Sequence, residues 1–269
     1  MMKKRNLIYH LILILVGAYL IVPIAFTLLY SLTSGWVSLL PQGFTISFWE
    51  KLFAENPAFW ASIGRSLLIS VLPILLSGIS VIMAMYATVL YFPRLDALIN
   101  GICMVPYTLK GVVLAISVLS LYAGTNTPFA NRIVMLIFVY CIVILPYIYR
   151  GIRNNLYAVN VAQLLEAAEI LGPSKFYAFF RIVVPNMFSG ILVSALLALS
   201  SIFTDYAVVN IIAGTRYLTA QSVLYSTNKT IGGQLTSTMV IVMFSTTLLI
   251  AVISYRIEGR TRAKQANGQ

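Results

Sequence analysis

The amino-acid sequence predicts an all-α integral membrane protein with six transmembrane helices and a cytoplasmic two-helix loop between the fourth and the fifth. Hydrophobic residues make up 60% of the 269-residue chain and charged residues only 9%, whereas soluble domains carry about 25% charged residues. Six apolar runs have the length of a spanning helix, about 20 residues. This composition excludes an ordinary cytosolic enzyme, a disordered chain and a disulfide-stapled secreted domain.

The apolar runs define the spans one by one. The predicted spans cover, in chain order, about 7–32, 66–90, 98–122, 133–150, 187–212 and 236–256. The first run follows Lys3, Lys4 and Arg5, as a signal peptide would, but it exceeds the roughly 7–15 apolar residues of a signal sequence. We therefore expect an uncleaved first helix. Helices are predicted throughout because lipid-exposed backbone must satisfy its own hydrogen bonds.

The basic residues predict the orientation. Lys and Arg number 18 against seven acidic residues, giving a formal net charge of +11. With the N-terminus inside, twelve of the 18 fall in cytoplasmic segments, five in external segments, and Lys110 inside a span. Cytoplasmic loops of helical membrane proteins carry such an excess. We therefore expect both termini in the cytoplasm and no nucleic-acid partner.

Three connections between the spans are long. The external segment 33–64 contains Pro41 and three Trp residues, and we expect a short amphipathic element at the membrane interface there. A second external segment, 213–235, is polar and contains glycine. The cytoplasmic segment 151–186 is too polar to span the bilayer and is rich in helix-forming residues.

The cytoplasmic segment 151–186 predicts two short helices. Apolar residues recur at helical spacing from Val161 to Leu171, and Gly172 stands where a left-handed residue would end that helix. Ser174 is a good N-cap for a second helix, which should run to about Val183 and stop at Pro185. A corner of this kind beneath the membrane, with exposed apolar groups, usually contacts another protein.

This segment resembles the EAA loop of permease subunits of binding-protein-dependent type I ABC importers, the MetI-like superfamily. The residues that match the family pattern are Glu166, Ala167, Ala168, Leu171, Gly172, Phe179, Ile182 and Pro185. They lie on the predicted cytoplasmic side between the fourth and fifth spans. The resemblance implies a single transmembrane permease domain over residues 1–269 in a bacterial cytoplasmic membrane, with its coupling loop at 151–186.

The resemblance also implies partners. The two short helices, with Ser174 capping the second, would dock on a separate ATP-hydrolysing subunit, and Glu166 would face its basic groups. A second permease, identical or homologous, two ABC ATPase subunits and an extracytoplasmic solute-binding protein would complete the complex. The chain has no G-x-x-x-x-G-K-[ST] motif for a nucleotide. It therefore cannot hold a nucleotide in a P-loop by itself, and the resemblance implies a subunit that binds no cofactor and catalyses no reaction, with ATP and Mg²⁺ used by the partner ATPase.

A few polar residues inside the spans are candidates for the solute pathway. Lys110 lies near the middle of the third span, and Pro106 and Gly111 suggest that this helix is broken, as helices at solute sites often are. Lys110 would then favour an anionic or zwitterionic solute; alternatively it pairs with a carboxylate or reaches a wet cavity. Asp205 and Tyr206 resemble the fifth-span ending of the polyamine, ferric-ion, phosphonate and thiamine branch of these permeases.

Other functions are weaker alternatives. A six-helix secondary transporter that works alone fits the span count, and an intramembrane enzyme would need a nucleophile and a base at matching depth. The single histidine, His10, lies at the edge of the first span. Cys103 and Cys141 lie in apolar runs and are expected to be packing residues, so no metal site is predicted. The solute classes left open are phosphonate-like, polyamine and ferric ion.

Overall fold

A computed structural model shows a chain built almost wholly from helices. The structure describes residues 2–36, 41–109, 111–159, 161–170, 172, 174–230 and 233–267. The backbone packs into two compact units: one of residues 1–62 and 223–246, the other of residues 63–222 and 247–269.

The elements follow one another with short connections. In chain order they are α1 Met2–Ser31, β1 Thr33–Gly35, β2 Gln42–Phe44, α2 Ser47–Glu55, α3 Pro57–Leu90, α4 Asp96–Met104, α5 Gly111–Tyr122, α6 Arg132–Ala158, α7 Val161–Ile170, α8 Lys175–Ala178, α9 Val184–Asn186, α10 Phe188–Phe203, α11 Ala207–Ile212, α12 Ala220–Thr230 and α13 Gly233–Asn267. A π-helical turn, Phe179–Val183, joins α8 to α9, and 3₁₀ turns flank α4 at Pro93–Leu95 and Val105–Tyr107.

Among the described residues, four to six segments are long and apolar enough to cross a membrane. Four single helices qualify: Ile12–Ser31, Pro57–Leu90, Arg132–Tyr157 and Gly233–Ile253. Two bent pairs qualify if each is counted as one span: Pro93–Tyr107 with Gly111–Tyr122, bent by 93°, and Lys175–Asn186 with Phe188–Phe203, bent by 66°. The third predicted span therefore lies in the first bent pair, whereas the second pair bends where the fifth predicted span begins, and its first helix belongs to the predicted cytoplasmic segment.

The first unit contains elements that the sequence did not predict. β1 and β2 form an antiparallel hairpin that pairs Thr33 with Phe44, so the chain is not entirely α-helical. Strands of three residues are too short to show a period-2 pattern. The hairpin ends at α2, where the Trp49 indole donates to the Ser31 hydroxyl over 3.3 Å. In the predicted external segment 213–235, a helix, α12, likewise replaces a simple polar connection.

The second unit is packed around α6. One face of this helix carries a fully buried residue at every fourth position: Leu136, Tyr140, Ile144, Ile148 and Ile152. Helices α6 and α10 pack so closely that two glycines at their contact have no room for a side chain. A Cβ at Gly151 would overlap the Ser194 side chain, and a Cβ at Gly190 would overlap the Asn155 amide. Small residues at such contacts let helix backbones approach closely in membranes.

Two helix boundaries around the cytoplasmic segment extend the prediction. Helix α6 continues to Ala158, past the end of the predicted span at about residue 150. Pro185 does not end the second short helix: the Val184 amide donates to the Phe179 carbonyl in the π-helical turn, and α9 carries the chain to Asn186. A wider turn accommodates Pro185, which has no N–H to donate, and the bend follows at Met187.

Candidate functional site: coupling segment and solute pathway

Helix α7 presents one exposed face and one buried face. Four residues of α7 are exposed and lie three or four positions apart along one side of the helix: Gln163, Glu166, Ala167 and Ile170. Ile170 is 87% exposed, an unusual state for a large apolar side chain. On the other side, Ala168 is buried. The exposed face of α7 therefore offers a carboxylate flanked by apolar surface.

The corner after α7 is fixed by its backbone. Gly172 has φ +87, a left-handed conformation that disfavours side chains, although a Cβ there would meet no neighbour within 4 Å. Ser174 is the N-cap of α8, and its hydroxyl accepts a hydrogen bond from the Tyr177 amide over 3.3 Å. Both features are those that the sequence predicted for this corner. Leu171 and Pro173 lie outside the described residues.

An aromatic cluster attaches this corner to α3. The Tyr86 ring lies 5.6 Å from the Phe176 ring, 5.2 Å from Phe179 and 5.8 Å from Phe180, measured between centroids. Phe179 and Val183 are buried. Because aromatic pairs at these distances add to the energy of burial, the cluster holds this corner against the end of α3.

The predicted coupling residues thus divide into two groups. Glu166 and Ala167 are exposed, whereas Ala168 and Phe179 are buried. The other described positions of the resemblance are the exposed Gly172, the half-buried Ile182 and the exposed Pro185. The motif therefore combines residues available to a partner with residues that hold the segment together.

An ion pair missed by the sequence analysis lies beside this segment. The Arg153 guanidinium of α6 donates to the Asp96 carboxylate of α4 over 2.6 Å and to the Tyr157 hydroxyl over 3.3 Å. A cavity of about 310 Å³ borders the pair and extends to Val161 at the start of α7. Nothing in the sequence spacing links Asp96 to Arg153, since they are 57 residues apart.

The break in the third predicted span lies where Pro106 and Gly111 indicated. Pro106 belongs to the 3₁₀ turn Val105–Tyr107, and α5 begins at Gly111 after a 93° bend. Lys110, the predicted basic residue of the pathway, lies outside the described residues.

The fifth predicted span is also interrupted, and its break lies close to α5. The Asp205 carboxylate accepts a hydrogen bond from the Val208 amide over 3.1 Å, so it caps α11 after α10 has ended. A Cβ at Gly111 would lie 3.1 Å from the Val208 side chain. Gly111 and Asp205 are therefore brought together through Val208, with Tyr206 half-buried between α10 and α11.

A buried tyrosine near this break was not predicted. Tyr140 of α6 is fully buried, and its hydroxyl has no hydrogen-bond partner in the described part of the chain. Such a buried hydroxyl typically costs about 1–3 kcal/mol. The Asp205 carboxylate lies close enough to interact electrostatically with it. In the sequence, Tyr140 looks like any other aromatic residue of a span.

This combination of broken membrane helices with a two-helix segment that is half exposed and half packed defines a transport permease. Residues 77–263 match the family described as binding-protein-dependent transport system inner membrane component. The chain belongs to this family. It is a membrane-embedded permease of a binding-protein-dependent ABC importer.

Individual relatives agree with the family. The chain is 25% identical over 211 residues to the spermidine/putrescine transport system permease protein PotC of Escherichia coli K12, covering 78% of each protein. The PotC of Shigella flexneri gives the same values. In fold, the chain is similar to a subunit in an inward-facing crystal structure of the MetNI methionine ABC transporter, with a TM-score of 0.56 and 15% identity over 77% of this chain and 99% of that one.

Proposed function

We propose that this chain forms half of the translocation pathway of an ATP-driven importer and couples it to a separate ATPase through α7 and α8. It would cross the membrane six times, with both termini and the coupling segment in the cytoplasm. Its partners would be a second permease, identical or homologous, two ABC ATPase subunits and an extracytoplasmic binding protein. The chain itself would bind no cofactor, and ATP and Mg²⁺ would be used by the ATPase.

The exposed face of α7 is the observation that carries this proposal. Glu166 can meet a basic group, and Ala167 and Ile170 offer apolar contact on the same side of the helix. Helix α7 packs on α8 and the π-helical turn, and that turn contacts Tyr86 of α3. Closure of two ATPases would therefore move α3, α9 and α10 as packed bodies, which is how rigid-body transitions switch access.

Charge reversal at α7 tests the coupling role. Glu166→Arg should abolish ATP-dependent uptake and reduce ATPase co-purification, while the protein remains in the membrane at its normal level. The matched control is Glu50→Arg, because Glu50 is an exposed glutamate on a different helix, α2. Normal uptake by Glu166→Arg, with the ATPase co-purifying at the wild-type ratio, would contradict the proposal.

We also propose that the solute is a small organic cation of the polyamine class. The relatives are named spermidine/putrescine permeases. The half-buried Asp205 carboxylate is a negative group that caps α11, and Val208 of α11 lies next to Gly111 at the start of α5. An ammonium group would compensate the charge of this carboxylate and donate hydrogen bonds to it. Phosphonate-like solutes and ferric ion are the other classes that the sequence left open.

Uptake by membrane vesicles distinguishes the solute classes. Labelled spermidine should be transported, and Asp205→Asn should raise the concentration that gives half-maximal uptake several-fold, because a charge-assisted contact is about twice as strong as a neutral one. Lys110→Ala is the comparison, since the sequence predicts that Lys110 favours an anion. Transport of a phosphonate, lost in Lys110→Ala and unaffected in Asp205→Asn, would refute the polyamine proposal.

A further inference from the structure

A separate polar site surrounds Arg150 on α6. Arg150 borders two cavities, of about 380 and 430 Å³. Asn154 lines both cavities, and Asn100 of α4 and Tyr149 line the larger one. All these residues belong to the same compact unit. Cavities of this size are large enough for a small ligand or a headgroup.

The polar groups of this site lack protein partners. The Arg150 guanidinium lies 4.9 Å from the centroid of the Tyr107 ring, but no carboxylate in the described part of the chain pairs with it, since the ion pair found there joins Arg153 to Asp96. Within that same part, neither Asn100 nor Asn154 makes a side-chain hydrogen bond, and the buried Tyr149 hydroxyl has no partner. The site therefore holds an uncompensated positive charge beside unused donors.

The depth of Arg150 places this site at a membrane boundary. Arg150 is 18 positions after Arg132, the first residue of α6, which corresponds to about 27 Å along the helix at ~1.5 Å per residue. The hydrocarbon core of a bilayer is about 30 Å thick. If Arg132 lies at one boundary, Arg150 lies at the other, at the level of the lipid headgroups and next to the coupling segment.

We infer that Arg150, Asn100 and Asn154 bind a phosphate group, carried either by an acidic phospholipid or by a soluble phosphate compound. A guanidinium offers paired N–H donors that match phosphate oxygens, and the two amides supply further donors. Basic pockets between transmembrane helices are known sites for anionic headgroups. The same guanidinium repels cations, so the ligand differs from the proposed solute, and the inference stands whether or not the solute proposal holds.

Native mass spectrometry of the full chain in neutral detergent tests the site. Phosphatidylglycerol should remain bound more strongly than phosphatidylcholine of equal chain length. Arg150→Gln should lower the phosphatidylglycerol affinity about tenfold, the effect of losing one charge-assisted contact, and Arg150→Lys should lower it less. Arg94→Gln is the matched control because Arg94 is an exposed arginine in the 3₁₀ turn before α4 and lines neither cavity. Circular dichroism and gel filtration establish that each variant is folded.

Inorganic phosphate identifies the source of the ligand. If the site serves lipid, millimolar phosphate should leave bound phosphatidylglycerol in place. If it serves a soluble compound, phosphate should displace the lipid and raise the thermal unfolding temperature of the lipid-free wild type but not of Arg150→Gln. The inference is overturned if Arg150→Gln loses no more phosphatidylglycerol than Arg94→Gln and phosphate stabilises neither protein.

Discussion

The close crossing of α6 and α10 predicts how much unfolding free energy is lost when a single methyl group is added at Gly151. A Cβ at Gly151 would overlap the Ser194 Cβ, and ordinary contact distance, about 3.5–4.0 Å between carbons, could be restored only by parting the helices. Overpacking of this kind costs about 1–3 kcal/mol, and occasionally more. Because Ser194 is almost fully buried and its Cβ cannot swing away, we expect Gly151→Ala to lose about 2–4 kcal/mol of unfolding free energy.

Combining Gly151→Ala with Ser194→Gly should restore most of the lost unfolding free energy. Ser194→Gly alone should cost about 1 kcal/mol, since it places glycine inside a helix. In the double variant the new methyl occupies the space that the Ser194 side chain has left. We therefore expect a double variant within about 1 kcal/mol of the wild type. The coupling energy between the two sites is then about 2–4 kcal/mol, at or above the upper end of the range for residues in contact.

Equilibrium unfolding in mixed micelles, followed by far-UV circular dichroism, measures these energies. Gly78→Ala is the control, because a Cβ at Gly78 would meet nothing within 4 Å and alanine favours the helix by about 0.5–1 kcal/mol. Simple additivity of Gly151→Ala and Ser194→Gly would refute the steric account of this crossing. So would a loss in Gly78→Ala equal to that in Gly151→Ala.

Two further predictions concern the coupling corner and the segment before α12. Ser174→Ala should cost about 1 kcal/mol of local stability, so the Tyr177 amide should exchange its hydrogen about fivefold faster, as measured by mass spectrometry. Tyr217→Phe removes the hydrogen bond from the Tyr217 hydroxyl to the Arg65 carbonyl, 2.8 Å long, and should lower neutral-pH stability by about 1 kcal/mol. Burial raises the pKa of Tyr217 above its ordinary value of 10.0. The stability advantage of the wild type over Tyr217→Phe should therefore be present below pH 10 and shrink as pH rises further, because the unfolded chain ionises first. Thermal unfolding of both proteins at pH 8 and pH 11 measures this difference.

Local rules explain what the sequence could predict. The conformation of Gly172 and the cap at Ser174 depend on residues within a few positions of each other, and the interruption at Pro106 follows from a missing N–H. These features need no knowledge of the rest of the fold. The start of α11 follows the same local rules, since Asp205 precedes the amide that it caps by three positions. From its charge, Asp205 was predicted only as a residue of the solute pathway and not as a cap.

Tertiary contacts explain what the sequence could not predict. Helix α6 continues beyond its apolar run, and Arg153 in this part of the helix pairs with a carboxylate on α4. Hydropathy alone cannot distinguish a helix that leaves the membrane from one that ends there. The crossing at Gly151 requires a partner 43 positions away in the chain, Ser194. In the sequence, a glycine that faces lipid cannot be distinguished from a glycine that faces a neighbouring helix backbone.

The division of the EAA motif into exposed and buried residues changes how variants of it should be interpreted. Glu166 acts at a surface, so its replacement should impair partner binding without altering the packing of the segment. Ala168 and Phe179 are buried, so larger or smaller residues there should displace α7 from α8 and from Tyr86 while the exposed face keeps its chemistry. Under the proposed coupling role, loss of uptake with an intact ATPase complex would indicate a failure of transmission through the aromatic cluster, whereas loss of the complex would indicate a failure of docking. The two outcomes therefore distinguish the role of the buried packing residues from the role of the exposed docking surface.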